Sequence, residues 1–244
     1  MKIQSNQDLF PNSTSRTSWP TRQESLERFR KFNPLKYSKS RNYLDGQVSK
    51  LSPLIKHGVI TNREIFETIR DKFSFGESEK FIQELAWRDF WRSYAYHHPD
   101  QLWNDVEDYK TGLQASEYLD KLPEDIESGQ SPTQVINVFI KNLKETGYLH
   151  NHARMYVASY IVHFRRVKWQ AGAKFFLTHL LDGDIASNNF SWQWIASTFA
   201  SKPYIFNLEN VQKYCSKSLN IDPNQNLEIN GSYEEITQRL FPNL

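Results

Sequence analysis

Cysteine is almost missing from this 244-residue chain, and the single one, Cys215, rules out an internal disulfide framework and a cysteine-based zinc site. Long apolar runs are missing too. No stretch of about 18 apolar residues occurs, so the sequence offers no membrane-spanning helix. Charge of one sign is not in excess: 30 Lys and Arg against 28 Asp and Glu leave +2. That excludes a protein working by sheer positive charge, though not one with a local basic face. Residues 1–50 carry ten Lys and Arg but four Asp and Glu, which is read as a solvated face or as an attractor of phosphates. The Ser-, Thr- and Asn-rich stretch Met1–Pro20 has no apolar signal core. A cytoplasmic location is therefore expected, with organellar targeting left open. No GxGxxG, P-loop, HExxH or CxxC motif is present. Asp182-Gly183-Asp184 begins like a calcium loop, but Ala186 stands at the next ligand position. His150 and His152, two apart, would point to different sides of a helix rather than to one metal.

What is abundant is aromatic: 7 Trp, 12 Tyr and 16 Phe, or 14% of the chain. Seven tryptophans exceed the needs of a core. Helix signals dominate. Thr21 with Glu24, and Thr61 with Glu64, have capping-box spacing, and Ser131-Pro132 followed by Gln134 predicts a third helix start with Pro132 in its first turn. Val135, Val138, Phe139 and Leu143 follow at helical spacing, with Gly147 as the stop. Further helical patterns cover 149–167, 171–181 and 187–199, and Ile236, Leu240 and Phe241 predict a short docked helix near the end. Alternating strand patterns are nearly absent. The fold class expected is all-α.

Two segments concentrate chemistry. In Glu84–Trp91, a helical projection puts Phe81, Ile82, Leu85, Ala86 and Phe90 on a core half and Glu84, Trp87, Arg88 and Trp91 on the other. That second half is either another packing face or a site that stacks a flat ligand and hydrogen-bonds its edge. In Leu181–Trp194, two carboxylates, two adjacent amides and two indoles lie within a short span. Such a cluster should not be buried without partners. It either caps a helix starting near Ser187 or lines a pocket for a large heteroaromatic ligand.

Three motifs, Glu84–Phe90, Gly147–Met155 and Leu181–Trp194, together resemble the FAD-binding helical domain of the DNA photolyase/cryptochrome family. The resemblance covers about Tyr37 to Cys215. It implies an N-terminal polar and basic segment over 1–36, the FAD-binding domain over 37–215, and a tail over 216–244 packed on that domain. By this resemblance Val48-Ser49-Lys50-Leu51-Ser52 corresponds to the loop that binds the FAD phosphates, with Tyr37 before it and Arg41 placed toward DNA. Many relatives have Thr or Ser and Arg where Val48 and Lys50 stand, so the loop here offers fewer hydroxyls and no bidentate guanidinium. Arg88, Asn151, Arg154, Asp182, Gly183 and Asp184 correspond to the flavin site. Arg154 and Asp182 form an ion pair beside the ring in the family, and Asp184 lies near its N3 edge. Asn188 matches the residue facing N5, where Asn favours a fully reduced flavin.

The resemblance extends to substrate and electron supply. Glu84 matches the carboxylate that hydrogen-bonds damaged pyrimidines, Trp87 and Trp194 match the aromatic walls of the lesion pocket, and Trp91 lies beside them. Asn151 and Met155 match enzymes acting on cyclobutane dimers, and Gln212 matches a glutamine contacting DNA. Trp192 and Trp169 resemble the inner and middle members of a tryptophan electron chain, and Trp103 or Tyr109 fills the outer place. Phe190-Ser191 replaces a small glycine-rich pair and is expected to narrow the lesion pocket. No α/β antenna domain precedes the matching region, so no antenna chromophore is expected. A homodimer or a partner protein would then cover the bared face. The function implied is light-driven repair of cyclobutane pyrimidine dimers in DNA, with single-stranded DNA among the substrates expected. The alternatives are a cryptochrome-like blue-light receptor that signals through a partner, and a helical domain that has lost its flavin.

Overall fold

A computed structural model describes residues 21–244. The Met1–Pro20 stretch, with its targeting reading, lies outside the described residues. Twelve α-helices occur among these residues: α1 Arg22–Arg30, α2 Pro34–Ser40, α3 Ser52–Lys56, α4 Asn62–Arg70, α5 Phe75–His97, α6 Glu124–Ser128, α7 Gln134–Thr146, α8 Asn151–Ser159, α9 Trp169–His179, α10 Ile185–Ala196, α11 Leu208–Cys215 and α12 Tyr233–Leu240. Leu119 and Val167 form an isolated bridge, and no sheet is present among the described residues. The all-α expectation is met.

Local chemistry explains where the helices begin. Thr21 and Thr61 form the expected capping boxes with Glu24 and Glu64, and Ser74–Glu77 and Ser232–Glu235 add two more. The α7 expectation needs correction. The helix starts after Thr133, so Pro132 precedes it. Ser131 bonds Asn137, and the Thr133 hydroxyl donates to Glu228 at 2.7 Å instead of capping its own helix. Long-range partners have outbid the local cap. The helix expected over 149–167 also divides: α8 ends at Ser159, and a wider π turn, Tyr160–Phe164, follows. The helix expected near Ser187 begins at Ile185, because the Asp184 carboxylate accepts from the Ser187 amide.

The main core gathers α7, α8, α9, α10 and α11 around Ile136, Ile140, Tyr156, Ile161, Trp169 and Val211. A second cluster, with Phe29, Phe32, Leu54, Ile65 and Phe81, joins α1 to the first half of α5. Ile236, Leu240 and Phe241 are buried against Phe164 and Ile205, as the periodicity predicts. The expected core stripe of α5 holds only in part. Phe81 is buried and Ile82 and Leu85 pack against the cluster, but Ala86 is exposed and Phe90 is 46% exposed. The helix outruns its core after about three turns, and its second half offers aromatic rings to the surface.

Two glycines place the pieces that matter next. Gly147 ends α7 with φ 69°, and a Cβ there would meet the Leu181 side chain at 2.6 Å. Its carbonyl accepts from the Leu181 amide at 2.8 Å, fixing the loop that carries Asp182 and Asp184. Gly172, within α9, leaves room for the Trp192 ring, which a Cβ would meet at 2.3 Å.

Candidate functional site

Between α2, α3, α5, α8, α9 and α10 lies a cavity of about 610 Å³. Of the residues singled out in the sequence, Tyr37, Arg41, Val48 through Ser52, Glu84, Trp87, Arg88, Trp91, Asn151, Arg154, Met155, Asp182, Gly183, Asp184, Asn188, Trp192 and Trp194 all line it. Trp169 does not; it is fully buried behind the wall. Gln212 lies on α11, outside the lining. The expectation for Phe190 is corrected. It is fully buried outside the lining and stacks on Trp91 at 5.4 Å, so it backs the wall instead of narrowing the cavity; Ser191 lies at the lining.

One side of the cavity is charged and largely buried. Arg154 Nη2 donates to Asp182 Oδ2 at 2.8 Å, and its Nε donates to the Leu149 carbonyl at 2.8 Å. The guanidinium also lies 5.7 Å over the Tyr148 ring. Burial pushes the Tyr148 phenol up to about 12. Asp184 caps α10 and accepts from Arg92 at 2.9 Å and Arg88 at 3.3 Å, with Lys56 at 3.9 Å. Burial pushes its carboxyl up, but the Ser187 amide and the two guanidiniums more than offset this and hold it below its ordinary value. Burial pulls the Arg88 guanidinium down, against the field of Asp184. On α10, Asn188 spends its amide N–H bonds on the Ala173 carbonyl and Asn189. Its remaining capacity is that of an acceptor.

The rim is aromatic. Trp87 is 49% exposed and Trp194 is 43% exposed. Trp87 stacks on Trp91 at 5.4 Å with a 28° tilt. Glu84 Oε1 takes both Arg41 Nη1 and Lys80 Nζ at 2.9 Å, leaving Oε2 outside that ion pair. Asn151 Nδ2 lies 3.9 Å from Met155 Sδ, one helical turn away. Tyr37 packs on Phe32 and Phe81, and burial, reinforced by the Glu84 charge, pushes its phenol up to about 12. The loop 48–52 passes through a left-handed residue, Lys50 at φ 53°, a conformation that costs a non-glycine residue about 1 kcal/mol or more.

In the cavity wall, Trp192 packs edge-on against Phe176 at 4.9 Å. Trp169 lies parallel to Trp103 at 6.3 Å with a 5° tilt. Tyr109 instead stacks on Tyr118 at 4.4 Å. Of the two alternatives for the outer aromatic, Trp103 is thus the one in ring contact with Trp169.

Sequence reasoning missed Arg92, Lys56, Tyr148 and Asp105. Arg92 was within reach, since it follows Arg88 by one helical turn. Tyr148 lies within the Gly147–Met155 motif without a role assigned to it, whereas Lys56 and Asp105 come from separate segments brought in only by the fold. His150 Nδ1 accepts from the His152 amide, and a ring nitrogen of His152 bonds the Asn42 carbonyl. No group of metal-ligating side chains occurs among the described residues.

Three buried polar atoms on residues of this lining lack a partner: Asp182 Oδ1, Arg88 Nε and Ser187 Oγ. Such atoms are costly unless something else bonds them. A large planar ligand with polar edges fits the space, the rings and the orphaned groups. Fold and cavity define a helical cofactor-binding domain.

The comparisons specify which. The family model described as the FAD binding domain of DNA photolyase matches residues 81–227. The chain belongs to this photolyase/cryptochrome family of FAD-binding domains. It is 33% identical over 150 residues to a deoxyribodipyrimidine photo-lyase of Streptomyces griseus, covering 62% of this chain and 32% of that protein. It is 32% identical over 170 residues to a cryptochrome DASH of Idiomarina loihiensis, covering 67% and 38%. An archaeal photolyase from Sulfolobus tokodaii, solved with two FAD molecules, superposes with a TM-score of 0.67 at 28% identity, covering 83% of this chain and 46% of that one. The chain spans about a third of the length of the curated relatives it matches.

Proposed function

We propose that this domain binds FAD in the cavity and uses light to split cyclobutane pyrimidine dimers in DNA. The observation that carries the reading is the continuity of one cavity. It joins a buried ionic wall with orphaned polar atoms to an exposed indole rim, so a cofactor and a second planar guest have adjoining places. When bound and reduced, FAD supplies an excitable one-electron donor.

The residues divide the work. Arg154, Asp182, Arg88, Asp184 and Ser187 offer donors and acceptors to the polar edges of the flavin. Asn188 offers an acceptor to an N–H group. Ser49, Lys50 and Ser52 offer hydroxyls and an ammonium to the phosphates. Trp87 and Trp194 stack an extruded pyrimidine pair, at about 1–3 kcal/mol per base. Glu84, with Oε1 held by Arg41 and Lys80, presents Oε2 to the pyrimidine edge, where hydrogen bonding counts most once the dimer has gained charge. Trp192, Trp169 and Trp103 return electrons from solvent to the cavity. Single-stranded or distorted DNA is favoured, because it presents an unpaired dimer at the lowest unstacking cost.

The test uses the full chain loaded with FAD and chemically reduced without oxygen. Under illumination with an oligothymidine bearing one dimer, thymine absorbance is expected to recover, and Glu84→Ala is expected to slow recovery at least about tenfold. Flavin binding with no recovery on single- or double-stranded substrate would sink the repair reading and favour light sensing.

A further inference from the structure

Trp169 is fully buried, yet its one polar atom reaches a charge. Nε1 donates to Asp105 Oδ1 at 2.6 Å, and the same oxygen accepts from Gln170 Nε2 at 3.1 Å. A neutral carbonyl would satisfy an indole N–H. Here a carboxylate from a distant loop does so. The neighbouring indole has the opposite setting: the Lys174 ammonium sits 5.5 Å over the ring of Trp103. The third indole, Trp192, touches α9 at Gly172, one turn from Trp169. Three indoles therefore meet on α9, and the fixed charges beside the outer two differ in sign.

Removing an electron from an indole leaves a positive charge and makes its N–H strongly acidic. A carboxylate in contact favours that charge, and an ammonium over the ring opposes it. We propose that Trp169 is where the electron vacancy comes to rest, and that Asp105 is the base that takes its proton. The proposal rests on the FAD reading, because the one-electron oxidant is the photoexcited oxidised flavin. Trp169 gives one electron inward through Trp192. Its Nε1–H bond breaks and an O–H bond forms on Asp105. The products are a neutral indolyl radical and a protonated carboxyl. One electron from a solvent thiol, passed through Trp103, and the proton returned by Asp105 restore the starting state. The neutral radical cannot refill from Trp192 without recovering that proton, so the separated charge survives long enough for a thiol to act.

The test is transient absorption of the full chain with oxidised FAD after a flash, which distinguishes a neutral indolyl radical from its cation. Wild type is expected to show the neutral radical, with a slower appearance in deuterated water. Asp105→Asn keeps an oxygen acceptor but no base, and is expected to show the cation with a shortened lifetime. Asp105→Glu retains the base and is expected to retain the neutral radical. Trp169→Phe is expected to lose the long-lived signal. A neutral radical unchanged in Asp105→Asn, a signal unchanged in Trp169→Phe, or no tryptophan radical in wild type would each overturn the proposal. Dimer repair by chemically reduced wild type is read separately: its failure sinks the repair function while the radical spectra still decide the role of Asp105.

Discussion

Arg154 and Asp182 sit 28 residues apart in the chain and 2.8 Å apart in the fold. The Asp182 side chain is only 3% exposed, and one of its oxygens has no partner besides. Removing Arg154 would leave a buried carboxylate with nothing to face. Arg154→Ala is expected to lower the unfolding free energy of the flavin-free chain by about 3 kcal/mol, read from urea denaturation at neutral pH. A loss below about 0.5 kcal/mol would mean that water reaches Asp182 and the pair is not load-carrying. Arg154→Lys is expected to recover only part, because one ammonium replaces donors aimed separately at Asp182 and the Leu149 carbonyl. At this scale the sequence shows which residue types gather, and the family motifs show their order. It does not show that Asp184 takes three cations, since Lys56, Arg88 and Arg92 belong to two other helices.

Helices reveal where local rules suffice. The Thr21 and Thr61 starts are legible because a capping box closes within four residues. The α7 start is not, because Thr133 bonds Glu228, 95 residues away. The face of α5 is legible through Phe81 and Leu85 and then fails at Ala86 and Phe90, which are exposed among the described residues. Periodicity records an amphipathic face but not where its partner ends. The contact between α9 and α10 is equally hidden: nothing around Gly172 announces that an indole lies against it. Gly172→Ala would drive Trp192 from its place. A loss of about 1–3 kcal/mol is expected, seen as a lower melting temperature, together with slower flavin photoreduction. An unchanged melting temperature would show that the ring shifts freely.

The whole molecule should be acid-sensitive. Burial pushes His150 and His163 down to about 4 from an ordinary 6.5. Each is neutral when folded, and each has a ring nitrogen without a partner. Between pH 6.5 and 4 the unfolded chain binds protons that the folded chain refuses, so stability is fully present above pH 6.5 and falls as the pH drops. The two shifts imply a loss of about 3 kcal/mol each by pH 4. Thermal melts of wild type and His163→Asn across that window would check it, the variant being expected to show the shallower slope. A further consequence follows from the Trp87–Trp91 stack. Two indoles held 5.4 Å apart at a 28° tilt do not absorb independently. Their transition dipoles couple, which gives the chain a circular-dichroism band whose sign and size depend on that angle. A guest wedged against Trp87 alters the angle or screens the coupling, so the mouth of the cavity reports its own occupancy as ellipticity, in the dark and without a label.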